Sequence, residues 1–178
     1  MNLTTNEQEI RYMLDKITLL GVNISKVNLD AAFSQICQWI KDKKRCYVCV
    51  APAATLVDSK QIPGYREIIN QAAMITPDGV PVVWLAQCKG VKNIERTYGP
   101  DLMRLVCNKG QDLGLRHFFY GATPETLVQL QNYLKEDYTK INIVGSFAPD
   151  FCEKAQVERP EILSLINQSK ADILWVGL

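Results

Sequence analysis

Met74-Ile-Thr-Pro-Asp-Gly-Val-Pro-Val-Val-Trp84 is the stretch whose reading decides the fold. Ala72-Ala-Met-Ile75 leads in as a short apolar run, fit for the end of a buried strand. Thr76-Pro-Asp-Gly79 turns the chain, and Val80–Leu85 resumes as an apolar segment able to open a helix. Pro77 fixes its own φ and biases Thr76 to an extended conformation, while Gly79 tolerates backbone angles that side chains resist. Strand, sharp turn and helix in that order are one step of an open α/β sheet, and ligands bind such sheets at the strand ends. Asp78 therefore sits where a functional carboxylate belongs. An Asp-Gly turn with Asp78 as a helix cap is the structural alternative.

Working outward, the same alternation repeats. Ile17–Ile24 reads as a strand broken by Gly21, and Asn28 can cap a helix over Leu29–Lys43 with Ala32, Phe33, Ile36 and Ile40 inward. Cys46–Val50 reads as a buried strand, and Thr55–Asn70 as helix in two pieces around Pro63-Gly64. Asp101 opens a helix reaching about Lys109. Leu115–Tyr120 is a strand, Gly121-Ala-Thr-Pro124 a turn into the helix Glu125–Tyr138, and Ile141–Gly145 a further strand. Pro160–Ser169 reads as helix and Ile173–Val176 as the last strand. Short strands that are apolar throughout, alternating with helices, predict an α/β fold: a single domain, mostly parallel sheet with helices on both faces, Rossmann-like. Residues 1–16, more polar, form an N-terminal arm or helix, and 17–178 form the domain.

Composition excludes several classes. At 178 residues with 47% hydrophobic content the chain is long enough for a real core. A net charge of +1 is no footprint for nucleic acid. No apolar run reaches the ~20 residues of a membrane span, and the N-terminus carries no signal-peptide pattern. The reading is a cytoplasmic protein. No basic amphipathic helix stands out, so weak membrane engagement is expected. A zinc centre lacks ligands, because Cys46-Tyr-Val-Cys49 has no second pair and His117 is the single histidine. No metal and no cofactor are expected.

The chemistry concentrates in two places. One is Asp78-Gly79; the other is Glu95-Arg-Thr-Tyr-Gly-Pro-Asp-Leu102. A strand-end carboxylate beside an arginine loop suits transfer onto a hydroxyl, with Arg96 pairing a diphosphate and Asp78 taking the proton. A purely structural network of Glu95, Arg96 and Asp101 holding the loop stands beside it as an equal reading. No GxGxxG and no Walker loop is present, and no Ser-His-Asp set suggests itself. Gly121-Ala-Thr-Pro124 can offer helix N-terminal amides to a phosphate, which keeps an unrelated nucleotide-binding domain as a third reading.

Pro77-Asp78-Gly79 with Val82-Val83-Trp84, then Glu95-Arg96-x-x-Gly99-x-Asp101-Leu102-Met103, resembles the WecG/TagA/CpsF glycosyltransferase family. Phe118-Phe-Tyr-Gly121, Ile143-Val-Gly145 and the closing Ala171–Leu178 extend the resemblance from about Leu19 to the chain end. It implies an inverting, metal-independent transfer from a UDP-sugar donor to a polyprenyl-diphosphate-linked acceptor in bacterial cell-surface polysaccharide synthesis, peripheral at the inner membrane face. Asp78 matches the proposed general base; Arg96, Gly99 and Asp101 match the second motif. Thr76, Gly79, Gly121 and Gly177 complete the expected substrate-binding set. Two departures stand out. Ala51-Pro52-Ala53 replaces a Thr-Pro-Asn-like segment. The family's pattern also continues past the last strand with Gly-x-Pro-Lys-Gln-Glu and a membrane-linked appendage, whereas this sequence stops at Leu178. The expectation is therefore a C-terminally shortened form with weak donor affinity, impaired transfer and a tendency to form homo-oligomers. The alternative is a catalytically silent sugar-nucleotide-binding or assembly module of the same fold.

The six cysteines (Cys37, Cys46, Cys49, Cys88, Cys107 and Cys152) lie in apolar strand and helix contexts with no sign of export. All six should be free thiols. Alkylation under denaturing, non-reducing conditions followed by mass spectrometry should add six labels, and a reproducible disulfide would contradict the reading.

Overall fold

The computed structural model describes residues 14–149 and 160–177, so most of the expected N-terminal arm, and Cys152, lie outside the described residues. The chain forms two compact units, Met1–Arg104 and Leu105–Leu178. Among the described residues are seven strands and seven helices, and every strand pairing after the first hairpin is parallel. This is the expected α/β class with parallel strands flanked by helices.

In the first unit, β1 (Lys16–Leu19) and β2 (Val22–Ser25) pair antiparallel. The expected single strand broken at Gly21 is thus corrected to a hairpin. Leu20 and Gly21 both take positive φ, the two-residue turn whose twist matches its flanking strands. The Asn70 side chain locks this turn from two sides: its Oδ1 accepts from Asn23 N at 2.9 Å and its Nδ2 donates to Gly21 O at 2.9 Å. Helix α1 (Leu29–Lys41) starts at Asn28, whose Oδ1 accepts from Ala31 N, as the sequence predicts.

Strands β3 (Val48–Ala51) and β4 (Met74–Pro77) pair parallel, with Val48 opposite Met74 and Ala51 opposite Pro77. The crossover between them carries α2 (Ala53–Gln61) and α3 (Tyr65–Asn70), broken at Pro63-Gly64 as expected. Every residue of β4 is buried. Beside it, the buried Ser25 hydroxyl accepts from Ile75 N at 3.1 Å. Helix α4 (Val80–Cys88) follows β4 and buries Val82 and Ala86 in a core with Leu19, Ile24, Leu56 and Ile75.

Helix α5 (Gly99–Gln111) runs from the first unit into the second. There β5 (Arg116–Gly121) lies between β6 (Asn142–Phe147) and β7 (Ile173–Gly177), parallel to both. Helix α6 (Pro124–Asp137) starts at Thr123, whose hydroxyl accepts from Thr126 N, with Pro124 in its first turn. Helix α7 (Pro160–Ser169) precedes β7.

Two polar arrangements hold β5 to β7, and neither was read from the sequence. Asp172, just before β7, grips Arg116 with both oxygens, at 3.0 Å to Nε and 2.8 Å to Nη2, and also accepts from Arg116 N at 2.9 Å. This fork-to-fork pairing keeps the Asp172 carboxyl below the usual carboxylate range. His117 is wholly buried, and its Nδ1 accepts from Trp175 Nε1 at 3.1 Å. Burial holds the imidazole below its ordinary range, so the neutral form is the folded one.

Both shifts act in the same direction. The unfolded chain protonates its histidine below about pH 6.5 while folded His117 resists, and Asp172 loses its stabilising ionisation only nearer pH 4. Stability should therefore fall on acidification in two stages. Urea unfolding followed by circular dichroism should show the first stage setting in as pH falls through about 6.5, the unfolded histidine's range. His117→Asn should flatten that stage and leave the second intact; an unchanged pH profile would contradict the assignment.

Candidate functional site

The C-terminal ends of β3 and β4 converge on Asp78. The ladder continues one step past the strands, with Asp78 N donating to Ala51 O at 3.2 Å. Pro77, the last residue of β4, still needs a partner for its carbonyl, and Thr97 N supplies it at 2.8 Å. Thr97 and Ile94 are both buried, so residues 94–98 form a strap pinned at two points across the strand ends. Between the pins, Glu95 and Arg96 are exposed.

Arg96 turns its guanidinium back over the turn. Its Nε donates to the Asp78 carbonyl at 2.8 Å, and its Cζ lies 4.4 Å from the centre of the Tyr98 ring. Tyr98 was not singled out in the sequence, and its spacing two residues beyond Arg96 was the available signal. The ring and the carbonyl together fix the plane of the guanidinium. Its terminal amino groups carry no hydrogen bond among the described residues.

The Asp78 carboxylate is partly exposed. Its Oδ1 accepts from Gly99 N, the first residue of α5, at 3.4 Å, and Oδ2 has no partner among the described residues. Asp78 thus serves a helix start, but not that of the helix directly after it: α4 begins at Gly79 with no side-chain cap. Gly99 is held close to β3, because a Cβ there would meet Val50 Cγ1 at 3.4 Å. Gly79 lies beside the start of α2, with its Cβ position 3.8 Å from Ala53 N.

The structure therefore brings Asp78, Gly79, Arg96 and Gly99 into one cluster in the first unit. Asp101 lies one turn along α5 and pairs with Arg104 at 3.6 Å on an exposed face. Thr76 has 0% exposure and its hydroxyl finds no partner, so it lies beneath the cluster, and a direct substrate contact there would need that hydroxyl uncovered. Of the two alanines that depart from the expected pattern, Ala51 is in the core and only Ala53 faces solvent.

Gly121 and Gly177 belong to the second unit, where they are paired at the ends of β5 and β7. Gly121 has φ +124°, and a Cβ on it would overlap the Gly177 carbonyl, which itself accepts from Ala122 N at 2.9 Å. Glycine at 121 is therefore a packing requirement of the strand end. Among the described residues no group of three His, Cys, Asp or Glu side chains could hold a metal ion. The cysteines are free where described, and burial pushes the Cys107 thiol up to about 12, which makes it inert as a nucleophile.

A pinned strap, a half-free carboxylate and an oriented guanidinium thus meet at the ends of two parallel strands. A curated relative from Bacillus spizizenii (strain W23), N-acetylglucosaminyldiphosphoundecaprenol N-acetyl-beta-D-mannosaminyltransferase, is 25% identical over 140 residues. That match covers 79% of this chain and 52% of the relative, so the chain spans about half the length of the curated relative it matches. The profile of the Glycosyl transferase WecG/TagA/CpsF family matches residues 17–178, nearly the whole chain, and the protein belongs to that family.

Proposed function

We propose that this chain carries the catalytic-base half of a glycosyltransferase that moves a sugar from a UDP-sugar to a polyprenyl-diphosphate-linked saccharide for a bacterial cell-surface polysaccharide. The observation that carries the reading is the Asp78 carboxylate, anchored through one oxygen on Gly99 N with the other open at the strand ends. The family membership and the relative's lipid-linked, diphosphate-bearing acceptor support the same class of substrates.

In this mechanism an acceptor hydroxyl attacks the anomeric carbon of the donor. Asp78 Oδ2 takes the hydroxyl proton as the new C–O bond forms, and the bond from the anomeric carbon to the UDP oxygen breaks with its electron pair leaving on UDP. A single displacement inverts the anomeric centre. The free amino groups of Arg96 are placed to pair a diphosphate oxygen, a geometry that a planar guanidinium suits. The reaction takes place at the cytoplasmic face of the membrane, where a soluble nucleotide sugar and a lipid-borne acceptor can meet.

Two substitutions test this in a protein extended to the length of its relative. Asp78→Asn should fold normally and lose transfer by ~10²–10⁴-fold, the span of a general base. Near-normal turnover would remove Asp78 from that role. Arg96→Lys keeps the charge but loses the Nε–H bond and the fit to the Tyr98 ring. It should cost roughly 1 kcal/mol in urea unfolding and weaken diphosphate binding by calorimetry. Unchanged stability and unchanged binding would show that the strap holds itself without Arg96.

A further inference from the structure

Helix α4 carries no charged residue from Val80 to Cys88, and it is not buried all round. Val82 and Ala86 face the core with Val83 and Leu85 packed beside them, while Val80 is 60% and Trp84 70% exposed. Trp84 is the most exposed large apolar side chain among the described residues. Pro81 and Cys88 extend this outward face. Basic side chains stand at both ends of the helix: Arg96 bonded to the Asp78 carbonyl at its start, and the exposed Lys89 and Lys92 just past its end. Glu95 and Asp78 are the neighbouring acids.

We infer that the outward face of α4 is a docking surface for an anionic phospholipid bilayer. Tryptophan with an adjacent aliphatic neighbour suits the interfacial region, where an apolar ring body and a polar N–H are both satisfied. Lys89 and Lys92 meet headgroup phosphates at the rim. A second copy of the chain is the weaker match. A stable interface needs about 800 Å² per partner, and the exposed side chains of Val80, Pro81, Trp84 and Cys88 supply only a fraction of that. The surface begins two residues after Asp78, so docking sets the carboxylate at the height of a lipid-borne diphosphate. That purpose rests on the acceptor class proposed above; the binding itself does not.

The test uses the full chain with vesicles of phosphatidylglycerol and phosphatidylcholine, read by co-sedimentation and by tryptophan quenching with brominated lipid. Anionic vesicles should bind and neutral ones bind far less. Trp84→Gln should lower the partition coefficient by roughly tenfold and abolish most of the quenching, since Trp39 is buried and Trp175 is part-buried with its indole N–H tied to His117. Lys89→Gln with Lys92→Gln should cost about fivefold per lysine and weaken the salt dependence. No vesicle binding, or binding that Trp84→Gln leaves unchanged, overturns the inference. Trp84-dependent self-association in sedimentation equilibrium without vesicle binding overturns it in favour of a second copy. Trp84-dependent vesicle binding by an extended protein that transfers no sugar keeps the surface and rejects the proposed reaction.

Discussion

The hydrogen bond from Thr97 N to Pro77 O governs how the first unit presents its chemistry. Strand β4 is buried along its whole length, so its last carbonyl cannot turn to water and must find a donor within the protein. Proline at that position has no N–H to offer in return, and the partner segment therefore cannot pair as a full strand. A single amide from an irregular strap answers both conditions. Burial of Ile94 on one side and Thr97 on the other leaves Arg96 between two fixed points, and the guanidinium then reaches the Asp78 carbonyl. Strand end, strap and carboxylate are one construction.

The same constraint explains why so much was legible in the sequence. Pro77, Asn28 and Pro63-Gly64 act through local backbone rules, and the strand end, cap and helix break they predict are present, whereas Gly79 is extended (φ −103°, ψ 145°) and uses none of the backbone freedom expected of it. The alternation of apolar strands with helices carried the α/β class for the same reason. Failures came where an outcome depends on contacts distant in sequence. Gly21 marks a break in the chain, but whether it bends one strand or folds two into a hairpin is decided by Asn70, some fifty residues on. The grip of Asp172 on Arg116 is likewise not local, since 56 positions separate the two.

The apolar helix after the Pro-Asp-Gly turn shows a second limit. Val80–Cys88 carries a single polar residue, Gln87, so periodicity cannot say which face is inward. The packing of Val82 and Ala86 on the core settles it, and Trp84 is left outward as a consequence. A sequence search for a basic amphipathic helix passes over this segment, because its lysines follow the helix instead of lining it.

Ala51 and Ala53 show how the fold separates residues that the sequence groups together. Both depart from the expected polar pattern, yet they meet opposite demands. Ala51 is fully buried opposite Pro77, where an extra hydroxyl would need a partner as scarce as the one Thr76 already lacks. Its methyl group is therefore a concession to the core. Ala53 opens α2 in solvent after Pro52, which offers no side-chain cap, and its amide lies close to Gly79. The amides of a helix's first turn lack intrahelical partners; here Thr55 N reaches Pro52 O at 3.1 Å, while those of Ala53 and Ala54 have no hydrogen-bond partner among the described residues. A polar side chain at 53 would compete for those amides or add a contact of its own, with little effect on the core either way. The identity of residue 51 thus bears on stability, and that of residue 53 on what the site can hold.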